Sequence, residues 1–125
     1  MRRKHGFFAL AVSYCAVIAF SAQPDAANRG RETFEKRCVG CHSLDNNKVG
    51  PSLRNVFGRR AGADVRFPYS DALKKAQFSW SDATLDKWLA DPDSLVPEND
   101  MAFRMDNAAE RAAIIDYLKQ LSGKP

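Results

Sequence analysis

The stretch "KRCVGCHSL", Lys36 to Leu44, sets two of the chain's three cysteines three positions apart and places a histidine directly after the second. A Cys-x-x-Cys pair serves three chemistries: half of a zinc site, a redox disulfide or, when histidine follows, covalent attachment of a haem. The surrounding residues weigh these against one another. Structural zinc takes four Cys or His ligands, and Cys38, Cys41 and His42 have no second pair to complete the set. A thioredoxin-like pair belongs beside a βαβ pattern, and no segment of this sequence alternates as a strand does. The haem reading uses every residue of the motif. At a helix end, Cys38, Cys41 and His42 stand at i, i+3 and i+4 and face the same way, so two thioethers would fix one porphyrin edge and the imidazole would come to lie under the iron.

Ahead of the motif, Arg2, Arg3 and Lys4 precede an apolar run "GFFALAVSYCAVIAF" from Gly6 to Phe20, followed by Ser21 and Ala22. A basic start, a short apolar centre and small residues at the exit compose a secretory signal peptide, so residues 1–22 are expected to be removed, with a residue or two of latitude in the cleavage point. Residues 6–22 are at the short end of what spans a bilayer; an uncleaved anchor is the alternative reading. Tyr14 before Cys15, and the position of Cys15 inside the apolar run, argue against a lipid-modified cysteine. Covalent haem attachment takes place outside the cytoplasm, in agreement with export to the periplasm.

Residues 23–125 then form one domain. The formal charge of +4 falls to +1 there, because three of the 19 basic residues leave with the signal and 16 remain against 15 acidic ones. No concentrated basic patch survives, so no nucleic-acid partner is expected. Gly30, Phe34 and Cys38 recur at four-residue intervals over a helix predicted from Asn28 to Val39, starting at Asn28 or Ala27. From Ser43 to Pro68 the composition is that of loops and turns. A short helix is expected from Ser70 to Ala76. Another follows Ser81, with Asp82 in its first turn, Leu85, Trp88 and Leu89 as its apolar stripe, and "DPD" at 91–93 as its end. The last helix is capped by Asn107 with Glu110 in the capping-box position, carries Ile114, Tyr117, Leu118 and Leu121 on one face, and stops at Gly123. Short helices around a long irregular stretch make a poor core unless something organises them. A buried cofactor would do so.

The ordered motifs "GRETFEKRCVGCH", "VGPSL", "FGRRAG", "FPYSDALKKAQFSW", "LADPDSLVPENDMAF" and "IIDYLKQL" run from Gly30 to Leu121. Together they resemble the small class I cytochromes c of the mitochondrial and alpha-proteobacterial type. The resemblance implies an all-α cytochrome c fold, short helices and loops wrapped around one haem c bound through Cys38 and Cys41. It implies His42 and Met101 as iron ligands, with Met105 as the alternative methionine; His5 leaves with the signal and no other histidine remains. Pro51 matches the proline whose carbonyl accepts the outer N–H of the axial histidine. Arg59, Tyr69 and Trp80 fall where propionate partners are expected, although Trp80 could equally be plain core and Arg59 a solvated charge. Leu53, Phe103 and Leu118 are expected to pack on the haem, and Gly30, Phe34 and Tyr117 to join the first and last helices.

The function so implied is a one-electron carrier, not an enzyme, cycling between Fe(III) and Fe(II) in a respiratory chain or with a dehydrogenase, as a monomer that docks in turn with a protein donor and acceptor, membrane complexes included. A membrane-tethered subunit of a larger oxidoreductase is the alternative. A haem peroxidase is less well supported: a dihaem enzyme needs two Cys-x-x-Cys-His motifs where this chain has one, and a monohaem enzyme needs an open distal site that Met101 would close. The sequence departs from mitochondrial relatives in the loop before Met101. It reads "DPDSLVPEND", with Asp91, Asp93, Glu98 and Asp100 and no basic residue, whereas the cysteine side keeps Lys36 and Arg37. A docking face divided between basic and acidic halves is expected.

Overall fold

The computed structural model describes residues 25–123, and its regular structure is helical: α1 Ala26–Arg37, α2 Asp71–Lys75, α3 Asp82–Ala90, α4 Pro92–Leu95 and α5 Ala108–Gln120. The segment 1–22, read above as an export signal, lies outside the described residues. Among the described residues, extended pairing is confined to one antiparallel bridge between Arg60 and Ser79.

Local chemistry accounts for most helix ends. Ser70 Oγ accepts the Leu73 amide at the start of α2. At α3, Ser81 and Thr84 form a reciprocal capping box in which Ser81 N–H donates to Thr84 Oγ1 at 2.8 Å and Thr84 N–H donates to Ser81 Oγ at 3.3 Å. Each such cap satisfies amides that have no partner inside the helix and contributes about 1 kcal/mol. Asn107 Oδ1 accepts from Ala109 and Glu110 at the start of α5. Glu110 itself does not complete a capping box. Its carboxylate reaches across to Arg37 on α1, 3.2 Å away.

Several boundaries differ from the sequence reading: α1 ends at Arg37 rather than Val39, the chain turning over residues 38–41, and α2 spans Asp71–Lys75 rather than Ser70 to Ala76. α1 begins at Ala26 rather than at Asn28 or Ala27, because the Asp25 carbonyl accepts the amides of Asn28 and Arg29 and adds a turn. The tripeptide at 91–93 both ends α3 and starts α4: Asp91 N–H closes α3 on the Lys87 carbonyl, and Pro92, with no N–H to satisfy, opens α4.

α1 packs across α5, and α3 lies beside both α4 and α5. The α1–α5 crossing depends on Gly30. A Cβ there would sit on the Ala113 carbonyl oxygen and 2.7 Å from Tyr117 Cβ. One turn on, Phe34 is buried with its ring centroid 5.6 Å from that of Tyr117. Arg111 ties α5 to α3 through Asp86 at 2.7 Å, and Lys119 does so through Asp82 at 3.0 Å. Ile114, Leu118, Leu85 and Leu89 close the interior between these helices.

Replacing Gly30 with alanine adds about 1 kcal/mol of helix propensity but forces backbone apart where α1 crosses α5, a cost of about 1–3 kcal/mol. The second effect meets carbonyl backbone, which has no rotamer in which to yield, so Gly30→Ala is expected to lower the denaturant midpoint of the holoprotein with little change in slope.

Candidate functional site

The C-terminal end of α1 does not stop at Arg37 but tightens into a turn. Cys38 N–H donates to the Phe34 carbonyl at 2.8 Å, Cys41 N–H to Cys38 at 3.1 Å and His42 N–H to Cys38 at 2.8 Å. The backbone therefore keeps a helical sense through the motif and brings Cys38, Cys41 and His42 onto one wall of a cavity of about 320 Å³. Cys38 and Cys41 are not joined in a disulfide, and burial would push a thiol at Cys38 up to about 11. Among the described residues, no three His, Cys, Asp or Glu side chains converge as a metal-ion site.

The loop after the motif holds the imidazole. Gly50 N–H returns to the Cys41 carbonyl, Leu53 N–H to Ser43 and Arg54 N–H to Leu44, while Asn47 Oδ1 accepts the Ser52 amide at 2.8 Å. Gly50 is required because its backbone runs against the ring; a Cβ there would lie 2.6 Å from His42 Nδ1. His42 Nδ1 is 2.8 Å from the Pro51 carbonyl oxygen. A carbonyl can only accept, so Nδ1 carries the proton and Nε2 keeps its lone pair. Burial, opposed by the Pro51 bond, lowers the His42 pKa from its ordinary value and so favours the neutral ring.

Met101 belongs to the loop between α4 and α5. Its amide donates to Asn99 Oδ1 at 2.7 Å, and Asn99 Nδ2 in turn donates to Asp93 and to the Val96 carbonyl, both at 2.9 Å. The half-buried Met101 lines the cavity and accepts a hydrogen bond at Sδ from Trp88 Nε1, 3.0 Å away. Met105 is 3 % exposed, packs in the core outside the cavity wall, and ties its amide to the Leu89 carbonyl at 2.8 Å.

Arg59, Tyr69 and Trp80 line the same cavity, as do Pro51 and Phe103, so all nine site residues expected from the sequence are brought together. Arg59 Nη2 donates to the Ser52 carbonyl at 3.2 Å. Burial raises the Tyr69 phenol above its usual range, with the nearby Arg59 charge opposing it. Trp80 meets Trp88 edge to face, centroids 5.3 Å apart. Leu53 and Leu118 also face the cavity. Trp88 is the residue whose role the sequence reading missed. It was assigned only to the apolar stripe of α3, although a buried indole ordinarily finds an acceptor for its N–H.

A haem fits this chamber on two observations. The walls are mostly apolar and bring together the His42 imidazole and the Met101 thioether, which suit a porphyrin iron, and the sulfurs of Cys38 and Cys41, which suit covalent attachment of its ring. In addition, the Nε atom of the half-buried Arg59 is itself buried without a hydrogen-bond partner in the protein, and an unsatisfied buried donor is costly. A carboxylate of the cofactor would supply what it lacks.

Comparison with known proteins agrees. The family model described as "Cytochrome c" matches residues 27–122. The chain is 46 % identical over 87 residues to cytochrome c2 iso-2 of Magnetospirillum fulvum, covering 67 % of this chain and 91 % of that one. It is 35 % identical over 108 residues to a cytochrome c of Arabidopsis thaliana, covering 83 % and 96 % respectively. The fold is similar to the solved structure of cytochrome cH from Methylobacterium extorquens, with a TM-score of 0.70, 40 % identity, and coverage of 75 % of this chain and 97 % of that one. The chain belongs to the cytochrome c family of electron carriers, and takes one haem c covalently through Cys38 and Cys41.

Proposed function

We propose that the protein is a one-electron carrier in which His42 Nε2 and Met101 Sδ would hold the haem iron and a protein donor and acceptor dock in turn. The observation that carries this reading is the pairing of an imidazole and a thioether on the walls of one apolar cavity. Two protein ligands leave no open position for a substrate, which argues against a peroxidase. The bound haem supplies the Fe(III)/Fe(II) couple, and a thioether opposite an imidazole favours the reduced form. The chain's own residues do the rest. Pro51 fixes the imidazole tautomer and orientation. Arg59, Tyr69 and Trp80 offer donors to the propionates, and Phe103, Leu53 and Leu118 exclude water.

Residues 1–22 carry the features of an export signal, so we place the mature protein in the periplasm. Among the described residues no helix is long and apolar enough to cross a membrane. The intact mass of the protein recovered from the periplasm is expected to correspond to a chain starting at Ala22 or Gln23 plus one haem; a mass retaining residues 6–22 would favour the tethered alternative.

Met101 is favoured over Met105 because it lines the cavity and Met105 does not. Met101→Ala is expected to abolish the long-wavelength sulfur-to-iron band and open the iron to added ligands. Met105→Ala should keep the band and lose about 2–5 kcal/mol of stability, the usual cost of truncating a core methionine. The reverse pattern would assign the ligand to Met105.

The charges flanking Cys38 and Met101 in the chain support a particular kind of partner. Arg104 reaches back to Asp91 at 2.9 Å and Asp93 at 3.6 Å, and Arg37 pairs with Glu110. Glu98 and Asp100 on the methionine side, and Lys36 on the cysteine side, stay outside the ion pairs among the described residues. Long-range steering depends on uncompensated charge, so a partner with a strongly acidic docking site is disfavoured. Electron-transfer rates with the native donor should vary only mildly between low and physiological salt. A steep decline as the screening length shortens to about 8 Å would mean that a uniformly charged docking patch exists.

A further inference from the structure

Between Gly58 and Ser70 the chain carries three arginines and a single acid, Asp64. The Asp64 side chain is only 6 % exposed, although it belongs to an irregular loop. A carboxylate taken out of water is costly unless it is paired and hydrogen-bonded, and Arg66 supplies both. Its backbone N–H and its Nε each donate to Asp64 Oδ1 at 3.0 Å, and its Nη2 donates to Oδ2 at 3.0 Å. The Arg66 side chain is itself 73 % exposed. One ion of the pair is therefore inside and the other in solvent. Water and salt screen the outer charge far more than the inner one, so the pair presents a net negative charge to the interior. That interior is the Arg59 end of the cavity. The Asp64 carbonyl accepts Phe67 N–H at 3.0 Å, the Phe67 ring stands edge-on to Tyr69 with centroids 4.8 Å apart, and both rings line the cavity with Arg59. The Arg66 hydrogen bonds, and in addition the Arg59 charge, hold the Asp64 carboxyl below the usual carboxylate range, so it is ionised at neutral pH.

We propose that Asp64 is a positioning residue that acts through Arg59: its inner carboxylate offsets part of the Arg59 charge and keeps the reduction potential lower than that cation alone would set it. This rests on Arg59 and Tyr69 serving the propionates. Fe(III) carries one more positive charge than Fe(II), so a nearby cation favours reduction and a nearby anion favours oxidation. A purely structural role for Asp64, holding its loop over the cavity, has the opposite signature. Loosening the loop would let water reach the wall, and better solvation of the more highly charged state lowers the potential.

The experiment titrates the potential of the holoprotein, followed by its visible absorption bands. Asp64→Asn keeps the shape of the side chain and removes its charge. At a fixed applied potential the ferrous-to-ferric ratio is expected to rise about two- to fivefold, a gain of about 20–40 mV at 59 mV per decade. An unchanged or lower potential would overturn the proposal. Arg59→Gln separates this outcome from the reading of the site beneath it. Loss of the cation should lower the potential; an unchanged potential there would withdraw Arg59 from the propionates and the proposal with it. A fall in Arg59→Gln without a rise in Asp64→Asn overturns the proposal alone. Should Asp64→Asn not accumulate as holoprotein, the two Arg66 variants decide. Arg66→Gln leaves the inner carboxylate uncompensated and is expected to lower the ratio about 1.5-fold, or about 10 mV. Arg66→Lys keeps the charge without the two-pronged bond and is expected to leave the potential unchanged. Equal falls in both, or no fall in Arg66→Gln, would refute the electrostatic role.

Discussion

The hydrogen bond from His42 Nδ1 to the Pro51 carbonyl is the constraint on which the arrangement turns. Its net contribution to stability is only about 1 kcal/mol, but it decides which nitrogen is protonated and where the other one points. It also joins the end of a helix, whose geometry follows from its own residues, to a loop that has no such periodicity. The Gly50 amide on the Cys41 carbonyl and the absent side chain at Gly50 bring the loop close enough for the bond to form. Proximal wall, cavity and loop path are in this sense one structure.

The loops from Ser43 to Tyr69 then find partners piece by piece. Ser43 Oγ accepts the Asn46 amide, Gly58 N–H donates to the Trp80 carbonyl and Ala61 N–H to that of Phe78. These bonds satisfy the backbone without filling the interior. A cofactor seated in the chamber of about 320 Å³ would bury the apolar side chains that line it, a gain of roughly 25 cal/mol per Å² of apolar surface removed from water. The cofactor is thus part of the core as well as the redox centre, and covalent attachment keeps it there in both oxidation states.

The features legible in the sequence are those whose causes lie within a few residues. Ser70, Ser81 and Asn107 cap helices because their side chains reach amides two or three positions on, and the spacing of Cys38, Cys41 and His42 implies a shared face. α4 was not legible because a proline after an aspartate can end one helix and begin another. Arg104 on Asp91 and Asp93, and Glu110 on Arg37, depend on how distant segments meet, and neither is encoded in local pattern. The same holds for Trp88. Its burial follows from the α3 stripe, whereas its acceptor lies across a loop, 13 residues further along the chain. Those lining residues outside the Cys38–His42 motif that could be named beforehand, Arg59, Tyr69 and Phe103 among them, were legible only because a family resemblance supplied the long-range information that periodicity lacks.

The crossing of α1 and α5 closes the chain on itself. Arg37 and Glu110, which meet there, are 73 positions apart, and bringing such ends together costs roughly 4 kcal/mol of chain entropy by the logarithmic loop law. Once that cost is met at Gly30 and Phe34, every later element folds inside a ring. The methionine-bearing arm between α3 and α5 is then a strap fastened at both ends to a frame that does not need it for closure. Such a strap can lift as a cooperative unit, at less than the free energy of global unfolding, while the helices stay clasped. From this topology the distal half of the cavity is expected to open before the His42 side.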